Sequence, residues 1–340
     1  MKILVIGGTR FLGYHLVRRL LQDGQEVTLF NRGLTPDDFG SSVERLRGDR
    51  QDRAGFQLKL RSRSFDAVVD LISYTGEDSR SAVDTLRGRA GHYVHISSAA
   101  VYITVKDYPN PIHEEDFDRE LRPKPCQNDG MWLYGFHKRQ CEAVLAEAHG
   151  QHGFPATALR LPIVQGEKDY SLRAYSYFLR AGDGQPMILP DGGLCAFTHV
   201  YQGDVVRAIV ENLGRPASFG RAYNLAQKEV VTLREFVLKA ARILGVNPEL
   251  VDIPRQVLDG SGLGVGFSPF SSRRPFILST ERAERELGFK PTPFKDWLER
   301  VVRWFKEEYR GGPPENYGRR EEEAIFARRY LKAVSVLGKQ

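Results

Sequence analysis

The hydrophobic positions in the first half of the chain form short apolar runs that alternate with longer amphipathic stretches. The apolar runs predict buried strands at Met1–Ile6, Glu26–Phe30, Phe65–Leu71, His92–Ser97 and Ala156–Leu161. The amphipathic stretches predict helices at Leu12–Leu21, Ser79–Arg89 and Trp132–His149. Strands that alternate with helices form a parallel sheet covered on both faces. The pattern therefore predicts an α/β fold with a doubly wound parallel sheet.

A glycine-rich turn follows the first predicted strand and opens the first predicted helix. Its residues are Gly7, Gly8, Thr9, Arg10, Phe11, Leu12 and Gly13. A helix that begins on glycines presents bare backbone N–H groups and the positive end of its dipole, which suits a pyrophosphate. Gly7 fits the tight turn, Gly8 a close backbone approach and Gly13 the helix–strand packing of a dinucleotide-binding turn. Arg10 stands where such turns often have a glycine, so the turn alone does not establish a dinucleotide site.

The end of the second predicted strand supports a dinucleotide site. In a dinucleotide-binding fold, an acidic residue about twenty residues after the turn holds the 2′-hydroxyl of NAD. This chain has Asn31, Arg32 and Gly33 there instead. Because a guanidinium pairs with phosphate in a bidentate way, Arg32 without a carboxylate favours the 2′-phosphate of NADP. We predict NADP as the preferred cofactor and NAD as the alternative; the ordinary explanation of Arg32 would be a solvated turn residue.

The predicted elements become shorter after Gln165. Helices are predicted there at Leu172–Arg180, Gly203–Leu213, Leu233–Leu244 and Phe294–Tyr309. With 340 residues, we expect a Rossmann dinucleotide-binding domain over 1–164 and a smaller α/β substrate domain over 165–310, from which the chain can cross back. Residues 311–340 are expected to form a helical extension. Its charged helix, Arg319–Leu331, would dock on the body of the protein or on a partner subunit.

Two segments lack a regular pattern. The polar, proline-bearing stretch Tyr102–Gly130 predicts a long loop, which is typically functional or partly disordered. The glycine-rich stretch Gly260–Gly266 follows no predicted strand and opens no predicted helix. We interpret it as a flexible lid or a disordered loop and not as a second nucleotide site.

Composition and charge exclude several classes of protein. The net charge is +6, with 36 Arg against 13 Lys, and the basic excess is small. The densest basic stretch, Arg45–Arg63, has seven Lys or Arg against two acids, and we expect a solvated loop beside the adenosine end of the cofactor there. A nucleic-acid footprint is the alternative. The three cysteines, Cys126, Cys141 and Cys195, have neither disulfide-framework nor metal-ligand spacing. With no membrane-length apolar run and no signal peptide, a cytoplasmic protein is expected.

Three residues predict a site for proton and hydride transfer. Ser98 follows the HYVHIS run, at the sheet edge where open α/β sheets bind ligands. Tyr134 and Lys138 are four apart on a predicted helix and so share one face. A neighbouring ammonium stabilises a phenolate, so a tyrosine beside a lysine can exchange a proton with a substrate hydroxyl. Tyr102 and Lys106 have the same spacing, but they lie in a stretch that predicts an extended chain, where such residues would be about 13 Å apart.

These motifs together resemble the extended short-chain dehydrogenase/reductases of the NAD-dependent epimerase/dehydratase type. The resemblance rests on GGTRFLG, Asp49, HISSAAVY and Tyr134-Gly-Phe-His-Lys138, and it covers roughly residues 1–305. The GGxxxxG form is most similar to an atypical subgroup that includes chloroplast stem-loop RNA-binding proteins and isoflavone-reductase-like proteins. The resemblance implies a catalytic Ser98, Tyr134 as acid/base, and Lys138 as its partner and as a ligand of the nicotinamide ribose.

The resemblance also implies roles for other residues. Further cofactor-binding positions are Asp49 at the adenine, Leu71 in the segment that faces the cofactor, and Pro162 in the strand that lines the nicotinamide pocket. Substrate-side positions are His199, Arg273 and Arg274, of which the two arginines resemble those that grip the diphosphate of a nucleotide sugar. A structural histidine and surface arginines are the ordinary alternatives. The segment from Leu71 to Tyr74 departs from the family's alanine-rich pattern, so the substrate cannot be carried over.

The sequence thus predicts an NAD(P)-dependent epimerase, dehydratase or reductase that acts on a hydroxylated substrate, expected to be a nucleotide sugar. A homodimer is expected only at the level of the family. The competing hypothesis is an RNA-binding protein on the same fold, in which the cofactor is structural or regulatory. The basic stretch Arg45–Arg63 favours it, whereas the set of Ser98, Tyr134 and Lys138 has no purpose in a protein that only binds RNA.

Overall fold

The computed structural model describes residues 1–126 and 129–337 of the chain. Its strands are β1 (Lys2–Ile6), β2 (Glu26–Asn31), β3 (Val43–Arg47), β4 (Ala67–Asp70), β5 (Tyr93–Ser98), β6 (Ala156–Leu161), β7 (Ile163–Gln165), β8 (Met187–Pro190), β9 (Ala196–Phe197), β10 (His199–Tyr201), β11 (Arg221–Asn224), β12 (Val231–Thr232) and β13 (Leu250–Ile253). Its α-helices are α1 (Phe11–Gln22), α2 (Arg53–Leu60), α3 (Gly76–Leu86), α4 (Gly130–His152), α5 (Arg173–Gly182), α6 (Gln202–Asn212), α7 (Leu233–Leu244), α8 (Arg255–Gly260), α9 (Glu281–Leu287), α10 (Phe294–Glu307) and α11 (Arg320–Leu337).

Seven strands form the central sheet, in the order β11-β6-β5-β4-β1-β2-β3. The pairings are all parallel. From β1 the chain builds the sheet outward through β2 and β3 on one side, and then from β4 through β5 and β6 to β11 on the other. The doubly wound α/β sheet predicted from the sequence is therefore confirmed. In such sheets, ligands bind at the carboxyl ends of the strands where the order reverses, which is between β1 and β4 here.

The side chains of β1 explain why this strand is almost wholly apolar. Ile3 and Val5 pack on one face of the sheet with residues of α1 such as Val17. Leu4 and Ile6 pack on the other face, in a separate cluster. Because successive residues of a strand point to opposite faces, a strand covered on both sides needs apolar residues at every position.

The chain divides into two compact units. The first unit comprises residues 1–164, 199–226 and 278–291. It contains the central sheet and α1 to α4, α6 and α9. Within it, α1 packs against α6, and α3 packs against α4.

The second unit comprises residues 165–198, 227–277 and those from 292 onward. In it, β8 pairs in parallel with β13, β9 pairs antiparallel with β12, and α7 packs against α5 and α10. The helix α11 docks in this unit through the buried ion pair of Arg180 with Glu323 and through Ala327, which joins the core around Ile188. Of the two docking places expected for the charged C-terminal helix, the structure shows the body of the protein.

The basic stretch Arg45–Arg63 is not a solvated loop. It contains the end of β3 and the whole of α2. In β3, Val43 is buried, Arg45 and Leu46 are half-buried, and Glu44 and Arg47 are exposed. The expectation was wrong because the charged residues of this stretch outnumber the apolar ones, so no apolar pattern marks the strand or the helix.

Two further expectations need correction. The segment Gly260–Gly266 is not a disordered loop, because the buried side chain of Leu263 lies in a core cluster that includes Phe267; that it acts as a lid stays a prediction. The residues after Ser98 form a 3₁₀ helix, Ala99–Thr104, where the β-branched side chains suggest an extended chain. The predicted loop Tyr102–Gly130 contains a second 3₁₀ helix, Glu114–Asp118, while its residues 127 and 128 lie outside the described residues.

Candidate active site

The glycine turn has the geometry that its sequence predicts. Gly7 and Gly8 have φ values of +106° and +96°, which side chains other than hydrogen rarely allow. A Cβ on Gly13 would lie 2.6 Å from the Cα of Gly8, so α1 begins in direct contact with the turn. Arg10 is extended and its side chain does not cap α1. The first N–H groups of α1 therefore keep the anion-binding character that suits a pyrophosphate.

Two guanidinium groups stand at the carboxyl ends of β2 and β3. Arg32 and Arg47 are both exposed, and Arg47 is paired in register with Asn31. The guanidinium of Arg47 covers Gly33 so closely that a Cβ there would lie 1.4 Å from its Nη1. Asn31 accepts a hydrogen bond from the N–H of Gly33 (2.9 Å), while its Nδ2 is buried without a hydrogen-bond partner among the described residues. Arg47 was not predicted from the sequence, because only the pairing of β3 with β2 brings it to Asn31 and Gly33.

Asp49 lies after β3 on the surface, where its Oδ1 accepts a hydrogen bond from the N–H of Gln51 (2.8 Å). The next residue, Arg50, is buried instead. Its Nη2 donates to Oδ2 of Asp70 (2.8 Å) and to the main-chain oxygen of Asp78 (2.7 Å). Arg50 thus fixes the end of β4 to the start of α3.

The segment after β4 lies beside the glycine turn. A Cβ on Gly7 would lie 3.3 Å from the Cβ of Leu71 and 3.3 Å from Cγ2 of Ile72. The carboxylate of Asp70 holds this segment, because its Oδ1 accepts a hydrogen bond from the N–H of Ile72 (3.0 Å). Leu71 therefore lies beside the glycine turn.

Lys138 is buried at the same edge of the sheet, with 2% of its surface exposed. Its Nζ donates to the main-chain oxygens of Ser73 (2.6 Å) and Ile96 (2.8 Å). Burial lowers the pKa of this ammonium. His95, which is fully buried on β5, has its pKa well below the usual value because of burial and then because of the charges of Lys138 and Arg50, so it is neutral. Lys138 is thus a fixed, desolvated cation.

Tyr134 shares the helix α4 with Lys138, whereas Ser98 ends β5, the strand that accepts a hydrogen bond from Lys138 at Ile96. Ser98 is the last residue of β5, and its Oγ accepts a hydrogen bond from the N–H of Ala100 (3.2 Å). Tyr134 is half-buried on α4, one turn before Lys138. A Cβ on Gly135 would lie 2.1 Å from the main-chain oxygen of Ala100, so this glycine lets α4 touch the segment that follows Ser98. The sequence analysis did not single out Gly135, although a glycine inside a helical pattern signals close packing.

The second Tyr-x-x-x-Lys pair is not preorganised for proton transfer. Tyr102 is fully buried, donates to Oδ1 of Asn224 (2.8 Å) and accepts from Nη1 of Arg160 (2.8 Å). Lys106 is exposed and pairs with Glu120 (3.4 Å). The spacing alone therefore does not define a site, as the sequence analysis expected.

The substrate-side candidates are dispersed over the two units. His199 is fully buried on β10 in the first unit. The cofactor-side candidate Pro162 is half-buried between β6 and β7. Arg273 and Arg274 are exposed in the second unit, where Arg273 pairs with Asp259 (3.0 Å). The described residues contain no group of acidic, histidine or cysteine side chains that could hold a metal ion. No helix among them is long and apolar enough to cross a membrane.

A match to a family model identifies the family of this chain. Residues 3–226 match the model of the NAD dependent epimerase/dehydratase family. The chain belongs to this family. The recognition made from the sequence is confirmed.

Relatives and solved structures fit this family. The chloroplast stem-loop binding protein of 41 kDa b from Arabidopsis thaliana is 28% identical over 85% of this chain and 75% of its own length. The dTDP-glucose 4,6-dehydratase of Bacillus anthracis, solved with NAD, has a TM-score of 0.72 at 16% identity and covers 91% of this chain and 97% of its own. The UDP-glucose 4-epimerase of Thermotoga maritima, solved with UDP-glucose, has a TM-score of 0.72 at 19% identity and covers 90% and 99%. Both structures share the fold of this chain.

Proposed function

We propose that this protein is a nicotinamide-dependent enzyme that transfers hydride to and from a hydroxylated substrate, namely a nucleotide sugar. The observation that carries the proposal is the buried ammonium of Lys138, held by two carbonyls one turn from Tyr134 and beside the end of β5. Burying an ammonium lowers the stability of the fold, so a buried lysine at this edge of the sheet favours a functional role for its charge.

Each of the three residues has a chemical role in this proposal. Tyr134 takes the proton from the substrate hydroxyl during oxidation and returns it during reduction. The charge of Lys138 stabilises the phenolate form of Tyr134. Ser98 donates a hydrogen bond to the reacting oxygen of the substrate and so orients it. The nicotinamide, when bound along the glycine turn, supplies the hydride acceptor and donor.

The choice of a nucleotide sugar rests on the family and on the substrates named for its solved members, dTDP-glucose and UDP-glucose. Arg273 and Arg274 support it chemically, because adjacent guanidinium groups suit a diphosphate. His199 is completely buried, which favours a structural histidine over a substrate-binding one. Replacement of Arg274 by Ala should weaken the binding of UDP-glucose. An unchanged affinity would refute the role of Arg274 in binding the diphosphate.

We propose NADP(H) as the preferred cofactor. Two exposed guanidinium groups, Arg32 and Arg47, at the carboxyl ends of β2 and β3 support this preference, because guanidinium groups suit a 2′-phosphate and Asn31 replaces the carboxylate that would hold a 2′-hydroxyl. The solved dehydratase of Bacillus anthracis contains NAD, and titration of this protein with both cofactors tests the preference.

The basic stretch Arg45–Arg63 gives little support to RNA binding. Four of its arginines pair with carboxylates of the first unit: Arg45 with Asp37, Arg50 with Asp70, Arg53 with Asp78 and Arg63 with Glu44. These charges stabilise the fold and leave few of the seven basic groups for phosphates, so the enzyme hypothesis is preferred.

The experiment that tests the proposal is a titration of the cofactor-stripped protein with NADP⁺ and NAD⁺, followed by a screen of nucleotide sugars for turnover. We expect micromolar binding that a short RNA stem-loop does not compete away. A cofactor that is bound tightly and never exchanges would indicate an epimerase or dehydratase, whereas a cofactor that is released in reduced or oxidised form would indicate a reductase. Absent dinucleotide binding, or displacement by RNA, would contradict the proposal.

A further inference from the structure

We propose that the exposed face of the Tyr74 ring is the stacking surface for a sugar ring in this active site. The inference rests on the proposed hydride-transfer function and adds a residue that neither the family resemblance nor the sequence motifs assign. The sugar has two sources, the ribose of the nicotinamide cofactor or the hexose of the substrate. Both present a face of C–H groups that packs on an aromatic ring.

The first observation is the place of the ring. Nζ of Lys138 lies 5.2 Å from the centroid of the Tyr74 ring, within the range of a cation–π contact. The same ammonium is bonded to the main-chain oxygen of Ser73, the residue before Tyr74. Tyr74 therefore lies beside the group that the proposed function puts next to the reacting sugar.

The second observation is the rigidity of the backbone at Tyr74. Oδ2 of Asp78 accepts hydrogen bonds from the N–H groups of both Tyr74 (2.8 Å) and Thr75 (2.9 Å). The Asp78 carboxylate is itself buried and paired with Arg53 (2.5 Å). Thr75 caps α3 and completes a reciprocal capping box with Asp78. The ring is thus presented from a fixed backbone, which lowers the entropy cost of stacking a ligand on it.

The third observation is the exposure of this ring. Tyr74 is 47% exposed, while Lys138 beside it is 2% exposed. Tyr74 is therefore accessible from solvent, although its ring lies 5.2 Å from a buried ammonium. An aromatic surface at the carboxyl edge of the sheet, next to a few fixed polar groups, has the composition of a small-molecule site.

The test compares two substitutions at Tyr74 by binding measurements on the full chain. Y74F keeps the ring and the cation–π contact, whereas Y74L removes both. The probes are UDP-glucose against UDP, which lacks the hexose, and NADP⁺ against 2′,5′-ADP, which lacks the nicotinamide ribose. L58A, which removes an apolar side chain that is 61% exposed on α2, is the control for loss of exposed apolar surface. Thermal unfolding of each variant confirms that the fold is kept.

Stacking on the substrate hexose predicts that Y74L weakens UDP-glucose binding by about tenfold and leaves UDP unchanged. Stacking on the cofactor ribose predicts the same loss for NADP⁺ with 2′,5′-ADP unchanged. In either case, Y74F and L58A bind all four probes as the wild type does. The inference is overturned if Y74L binds all four probes normally, or if Y74F loses as much affinity as Y74L, since the hydroxyl would then be the active group. A wild-type protein that binds neither NADP⁺ nor NAD⁺ overturns the proposed function, and with it this inference.

Discussion

Nζ of Lys138 lies 2.6 Å from the main-chain oxygen of Ser73, so the helix α4 is hydrogen-bonded to the segment that follows β4. This bond joins two parts of the proposed site that are far apart in sequence. The second carbonyl on the ammonium, that of Ile96, belongs to the strand that ends at Ser98. Lys138 therefore links all three elements on which the proposed chemistry depends.

Replacement of Lys138 by Met should abolish most of the activity. The ammonium that stabilises the phenolate is lost, and we expect turnover to fall by about 100-fold or more. The residual activity should rise only at higher pH than in the wild type, because the phenolate form is then no longer favoured by a neighbouring cation. The measurement is kcat/KM as a function of pH. A K138M enzyme with the wild-type pH profile would contradict the role given to Lys138.

Gly135 and Gly150 provide a matched pair on α4. A Cβ on Gly135 would lie 2.1 Å from the oxygen of Ala100, whereas one on Gly150 meets nothing within 4 Å. We expect G135A to destabilise the fold by about 1–3 kcal/mol and to lower turnover, because α4 must move away from the segment after Ser98. G150A should stabilise the helix by up to about 1 kcal/mol. Chemical denaturation measures both, and equal unfolding free energies for the two variants would argue against the close contact.

Arg47 should contribute to cofactor preference. R47A should weaken NADPH binding by about tenfold or more and leave NADH binding unchanged, because the lost guanidinium serves only the 2′-phosphate. R32A should have the same effect. The ratio of the two dissociation constants, measured by titration for each variant, checks this. Similar affinities of the wild type for NADPH and NADH would refute the proposed preference.

His92 should make the stability depend on pH. Burial lowers its pKa from 6.5 to about 4, and it is held neutral between Thr157 and the N–H of Gly214. Between these two pKa values the unfolded chain binds a proton that the folded chain does not. The stability is therefore lost progressively as the pH falls from 6.5 to about 4, by about 3 kcal/mol in all. H92Q lacks this group, so its unfolding free energy should fall less between pH 7 and pH 4.5. Parallel curves for the two proteins would contradict the assignment.

The sequence predicts the central sheet well, because its strands are buried on both faces and therefore read as apolar runs. It also predicts the shared face of Tyr134 and Lys138, since helical spacing alone places them together. It fails at β3 and α2, where arginines that are paired inside the fold look like solvated charge. Arg47 was missed for a related reason, because it lies beside the end of β2 only through the pairing of two strands.

Contacts between distant segments account for what else the sequence does not reveal. Gly135 is recognisable as special only when the oxygen of Ala100 is placed against it. Tyr74 belongs to the proposed site only because its ring lies against Lys138, which comes 64 residues later in the chain. Local patterns report secondary structure, whereas these two features depend on how α4 packs against the edge of the sheet.

The most direct test of the central claim is the turnover of a nucleotide-sugar substrate by the wild type and by Y134F, with cofactor binding measured on both. We predict that Y134F binds NADP⁺ as the wild type does and turns over at least about 100-fold more slowly, because it lacks the group that carries the proton. Y134F with wild-type turnover would contradict the account.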